Sequence, residues 1–119
     1  MASTPGKQFY DRQVRFLEAA DVDGLIASQY HPDAIIVSFD FQHKGREALL
    51  THFRNYLNHL GYIKLLSTDK FTETDDSIYF EATVEVAAGT ARVYDVFMLR
   101  DGKATHHFTG TLGFTPKSS

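Results

Sequence analysis

Apolar residues recur at steps of three and four along the first half of the chain, and at steps of two along the second half. The first spacing is that of a helix packed on one side, and the second that of a half-buried strand. Phe9, Gln13, Phe16, Leu17 and Ala20 predict an amphipathic helix over 5–20. It opens at Ser3 or Thr4 ahead of Pro5, because proline at the first helical position gives up no hydrogen bond. Asp21 or Asp23 can cap a short second helix that buries Leu25, Ile26 and Tyr30 and stops at Pro32. A β-rich run over 33–41 follows, and Gln42-His43-Lys44-Gly45 turns into a third helix. That helix carries Leu49, Phe53, Tyr56, Leu57 and Leu60 on one side, with Gly61 as its C-terminal cap.

Everything beyond Gly61 alternates as strand. The segments 62–74, 77–88, 90–100 and 103–114 predict an antiparallel meander turning at Asp75-Asp76, at Ala88-Gly89 and at Asp101-Gly102, the strongest hairpin signal in the chain. Helices first and a long sheet afterwards is an α+β plan.

One residue breaks the alternation. Asp95 falls in the same row as Ala91, Val93, Phe97 and Leu99. A carboxylate in an apolar row must be paired, hydrogen-bonded or protonated. It is either a structural anchor or the chemical centre of a pocket. With Asp101-Gly102 as a two-residue turn, Arg100 pairs with Lys103 and Asp95 lies opposite Phe108, with His106 as a diagonal neighbour on the same face. A one-residue bulge would exchange His106 for His107. An inward histidine could pair with Asp95; alternatively Asp95 stands alone as a neutral donor.

Composition narrows the field. The 119 residues suit a single domain over 1–119, with 1–4 and 115–119 expected to fray. A net charge of −3 without a basic stripe argues against nucleic-acid and membrane partners. There is no cysteine, which excludes disulfides and thiolate metal sites. No apolar signal core or membrane-length run is present, so a cytoplasmic location is expected. His52 and His59 lie two helical turns apart, and His106 and His107 point to opposite faces, so no metal site is expected. Glu81 and Glu85 alternate with apolar residues as a solvated strand face. The face bearing Tyr94, Val96 and Met98 is partly apolar, and a homodimer across it is expected.

The segments Arg15-Phe16-Leu17-Glu18-Ala19-Ala20-Asp21-Val22-Asp23-Gly24, Pro32-Asp33-Ala34-Ile35-Ile36-Val37, Gly45-Arg46-Glu47-Ala48-Leu49 and Tyr94 to Lys103 occur in an order that resembles the nuclear transport factor 2-like superfamily, in its SnoaL-like and ketosteroid-isomerase-like branch. The resemblance covers nearly the whole chain. It implies a cone, in which a curved antiparallel sheet wraps three N-terminal helices and encloses a pocket. Asp95 matches the position of the protonated aspartic acid in the ketosteroid isomerase oxyanion hole. Phe16 stands where that enzyme has its oxyanion-hole tyrosine, and Phe53 where it has a supporting tyrosine. Ser38 stands where it has its aspartate base, with Asp40 two residues on. Phe16, Tyr30, Ser38, Phe53, Val93, Phe97 and Phe108 are the residues expected to contact a ligand. The expected function is binding of a small hydrophobic, carbonyl-bearing molecule without a cofactor. The alternative is an isomerase, cyclase or dehydratase-like enzyme in which Asp95 polarises an oxygen and His106 (or His107) or Asp40 moves the proton.

Overall fold

The structure, a computed structural model, describes residues 3–117. Helix α1 (Pro5–Glu18) begins at Thr4, whose hydroxyl accepts a hydrogen bond from the Lys7 amide. It ends two residues before Ala20, which adopts a positive φ of 56° and so cannot continue the helix. Asp21 caps α2 (Val22–Gln29) by accepting from the Gly24 amide at 2.9 Å. Tyr30, expected at the end of that helix, is instead the first residue of strand β1 (Tyr30–Val37). Pro32 is tolerated there because it falls where the pairing with the last strand is irregular, between Tyr30 and Ile35.

Strand β1 stops at Val37. A turn closed by the Ser38 amide on the Phe41 carbonyl then reverses the chain into β2 (Gln42–Lys44), a short strand where a simple turn was expected. Gly45, at φ 95°, leads into α3 (Arg46–Leu60), and Gly61, at φ 80°, ends it by donating to the Leu57 carbonyl. Strands β3 (Ile63–Glu73), β4 (Ser77–Val86), β5 (Gly89–Arg100) and β6 (Lys103–Pro116) form the meander. Thr115 and Pro116, expected to fray, pair with Thr90 and Gly89; residues 1, 2, 118 and 119 lie outside the described range.

The sheet order is β2-β1-β6-β5-β4-β3. All neighbours are antiparallel except β1 and β6, which run parallel, so the sheet is mixed. Extra residues in β3 and β6 shift the register at four places and bend the sheet around the helices. The core between sheet and helices is aromatic. Phe97 lies against Phe9 at a centroid distance of 4.9 Å, and Phe80 against Tyr10 at 4.5 Å. On the outward face Glu81 is only 8% exposed, not a solvated residue as expected. Tyr79 donates to one of its oxygens and Arg92 pairs with the other at 2.6 Å. The Tyr79 bond is the largest cause of its lowered carboxyl pKa.

Candidate functional site

The register at the end of β5 decides the site. Arg100 pairs with Lys103 and Leu99 with Ala104, but Met98 pairs with His106, leaving Thr105 as an extra residue. From His106 to Thr111 β6 is shifted by one, so the side chains of that stretch change face. Asp95 therefore lies opposite Thr109, not Phe108. His107 is inward and 4% exposed, whereas His106 and Phe108 turn outward, Phe108 being 37% exposed. The expectation that placed His106 and Phe108 inside is thus corrected by a single bulge.

A cavity of about 170 Å³ lies between the inner face of the sheet and helices α1 and α3. That is close to the size of an engineered cavity known to hold benzene, and fits a ring-sized ligand. Ser38, Phe53, Val93 and Asp95 line it, together with His107, Gln13, His52 and Tyr56. Tyr30 and Phe97 do not line it. They are fully buried beneath it, and Phe97 stacks on His107 at 3.9 Å. Phe16 is half-buried and packs on α2 near Gly24, outside the lining. Asp40 is exposed in the turn after β1, because the strand has already ended, so Ser38 is the residue of that pair at the cavity.

The polar groups form one connected set. Asp95 Oδ1 and His107 Nε2 are 2.6 Å apart, and His107 Nδ1 is 2.9 Å from the Tyr30 hydroxyl. Gln13 Nε2 donates to that hydroxyl at 3.0 Å, and Gln29 Nε2 donates to Gln13 Oε1 at 3.2 Å. Burial, followed by the Gln13 hydrogen bond in the opposite direction, raises the Tyr30 pKa well above its ordinary value. The Asp95 side chain is 14% exposed, and its second oxygen makes no hydrogen bond among the described residues.

Across the cavity, α3 presents His52 and Tyr56, one helical turn apart. Neither side chain has a hydrogen-bond partner among the described residues. Burial, and then the neighbouring His43 and His107, pull the His52 pKa down to about 4, so the ring is neutral at pH 7. Burial and the Asp95 charge push the Tyr56 hydroxyl up to about 12, so it keeps its proton and can donate it in a hydrogen bond. Tyr56 had been placed on the buried side of α3, but nothing in that spacing distinguishes a cavity wall from ordinary core. His52, weighed in the sequence only as a metal ligand with His59, was not placed at the cavity; its position one turn before Tyr56 and next to Phe53 was the available signal. Among the described residues no three His, Asp or Glu side chains are grouped to hold a metal ion, and no helix is long and apolar enough to cross a membrane.

The fold and its half-open cavity define an α+β cone with room for a small ligand. The SnoaL-like domain model matches residues 8–107, and the chain belongs to that family. No curated protein sequence matches it. Among solved structures it is similar to TerC, co-crystallised with polyporic acid, at a TM-score of 0.76 and 20% identity, covering 91% of this chain and 92% of that one. It is similar to a putative polyketide cyclase from Sinorhizobium meliloti at a TM-score of 0.77 and 16% identity, over 92% of this chain and 100% of the other. A nuclear transport factor 2-like protein from Anabaena variabilis matches at a TM-score of 0.79 and 18% identity, over 94% and 89%.

Proposed function

We propose that the chain binds a small, neutral, largely apolar carbonyl compound in the cavity between β5, β6 and α3. The observation that carries this reading is the second oxygen of Asp95, left without a protein partner in a cavity whose walls are otherwise mostly aromatic and aliphatic. A carboxylate there disfavours anionic ligands and favours one that presents a hydrogen-bond donor or an acidic C–H. Tyr56, opposite, offers a donor to a carbonyl oxygen. A like-folded protein crystallised with polyporic acid and a putative polyketide cyclase add support for a small organic ligand.

A second reading follows from the same pair of groups. Asp95 takes a proton from the carbon next to the carbonyl, Tyr56 stabilises the resulting enolate oxygen by hydrogen bonding, and the proton returns from Asp95 to the same or a neighbouring carbon. The step balances without oxidant, reductant or cofactor, and it is the chemistry of an isomerase or cyclase. His107 holds Asp95 in place in this scheme; His106 and Asp40 are exposed, do not line the cavity and take no part.

The test uses 2-indanone, acetophenone and 2-cyclohexenone as probes. Binding is expected to shift NMR signals of Val93, Tyr56 and Thr109; the absence of shifts with all three overturns the binding reading. Deuterium uptake by 2-indanone in D₂O is expected to exceed the buffer rate and to fall by roughly 10²-fold or more in Asp95→Asn. Equal uptake by both proteins removes the catalytic reading and leaves binding intact.

We also propose pairing with a second copy through the outer face of β5 and β6. There Val96 lies beside Phe108, and Met98 beside His106. A location in the cytoplasm is proposed on the lack of cysteine.

A further inference from the structure

We infer that Arg12, Gln29, Gln13 and Tyr30 form a directional hydrogen-bond chain that holds His107 as the neutral tautomer with its proton on Nε2, and so keeps Asp95 Oδ1 an acceptor. The direction follows from groups at the outer end whose roles chemistry fixes. Arg12 Nε can only donate, and it donates to Gln29 Oε1 at 3.1 Å. The Phe9 carbonyl can only accept, and it accepts from Gln29 Nε2 at 2.9 Å. The orientation of the Gln29 amide is thereby settled. Its remaining N–H points to Gln13, so Gln13 must turn its oxygen to Gln29 and its NH₂ to Tyr30.

The Tyr30 hydroxyl consequently accepts from Gln13. It is fully buried, and its own proton has one place to go, Nδ1 of His107. With Nδ1 accepting, the ring's proton sits on Nε2 and is donated to Asp95 Oδ1. The reverse arrangement, with a protonated Asp95 donating to Nε2, would put a proton on Nδ1 against the Tyr30 proton. One of the two would be buried without an acceptor, which costs about 1–3 kcal/mol.

The hydrogen-bond chain at Asp95 sets this site beside, and apart from, the ketosteroid isomerases it resembles. Asp95 stands where those enzymes have a protonated donor, and here its Oδ1 is taken up as the acceptor of the His107 proton. Oδ2, which has no partner among the described residues, is the oxygen left to meet a ligand. Gln13, Gln29 and Tyr30 are positioning residues, acting on the ligand only through His107 and Asp95. A ligand at Oδ2 rests on the cavity being the binding site; the order of protons from Arg12 to His107 does not.

Ring nitrogens of His107 in ¹⁵N-labelled, ligand-free protein at neutral pH report the tautomer directly, in long-range ¹H–¹⁵N correlation spectra assigned with His107→Gln. The expected pattern is a protonated Nε2 and an acceptor Nδ1. Gln13→Glu is isosteric and reverses the polarity, since the new carboxylate takes the Tyr30 proton. Nδ1 is then expected to become protonated and its signal to move to the protonated range. A proton on Nδ1 in the wild type overturns the inference, as does a folded Gln13→Glu protein with unchanged His107 signals. Should that variant not fold, Tyr30→Phe decides: removal of the donor must shift the Nδ1 signal, and an unmoved signal overturns the inference. Because no ligand is present, failure here and failure of the cavity reading are separate results.

Discussion

His107 brings Nε2 to within 2.6 Å of Asp95 Oδ1, and both side chains are largely shut off from solvent. Asp95→Asn retains an oxygen that can accept from His107, so its stability should stay within about 1 kcal/mol of wild type. Asp95→Leu leaves the His107 N–H without an acceptor and should cost about 1–3 kcal/mol. Urea denaturation of the two variants measures the difference. Equal stability of both would mean that the His107–Asp95 bond contributes nothing to the folded state.

His52 gives the fold a dependence on pH. Its pKa is about 4 in the folded chain against an ordinary value of 6.5. Between those two values the unfolded chain binds the proton and the folded one does not, so stability rises with pH across that window. On acidification the contribution is lost from about pH 6.5 down to about 4, and below that it is constant. The loss should be on the order of 1 kcal/mol once the partial exposure of the ring is allowed for. His52→Phe should flatten this part of the profile; a difference between the two proteins that does not change with pH would rule the effect out.

Gly6 lies inside α1, where alanine would ordinarily stabilise a helix by about 1 kcal/mol. A Cβ there would sit 2.5 Å from Glu73 Cδ and 2.7 Å from Ile78 Cγ2. Glu73 is held in that place because it accepts from the Gly6 amide at 2.9 Å. Gly6→Ala should therefore destabilise the protein, by about 1–3 kcal/mol. Thermal unfolding with a raised midpoint would contradict this.

Val93→Phe projects a larger side chain into the cavity from β5. Because it fills space instead of crowding packed atoms, the stability change should stay under about 1.5 kcal/mol. The NMR response to 2-indanone should disappear in the same variant. A retained response would place the ligand elsewhere.

The proposed dimer depends on Phe108 being covered. Phe108→Glu should give a monomer by size-exclusion chromatography with light scattering, against a dimer for wild type. A monomeric wild type would withdraw the proposal.

Much of the fold was legible from local chemistry. The Asp101-Gly102 turn pairs Arg100 with Lys103 as its two left-handed residues require, and Gly61 closes α3 as its position after Leu60 implied. What escaped was set by contacts distant in sequence. Thr105 has no residue type that marks a bulge, yet its insertion decides which histidine meets Asp95. Tyr30 was assigned to a helix by its spacing from Ile26, whereas its pairing with Ala104 places it in a strand. Ser38 and Asp40 differ in placement because the chain leaves the sheet after Val37, and β2 is too short to announce that from its own residues.

The parallel pairing of β1 with β6 bears on the order in which the molecule assembles. Strand β1 follows the first two helices, but its central neighbour is the last strand, and the Tyr30–His107 bond closes a separation of 77 residues. Contacts of such range are slow to form, since the intervening chain must be ordered before they are rewarded. On a ribosome the β3–β4 and β4–β5 hairpins can form while β6 is still unmade, whereas the wall that carries His107 cannot. The cavity therefore cannot close until β6 is made, and a chain cut short before Ala104 would have strands without a site.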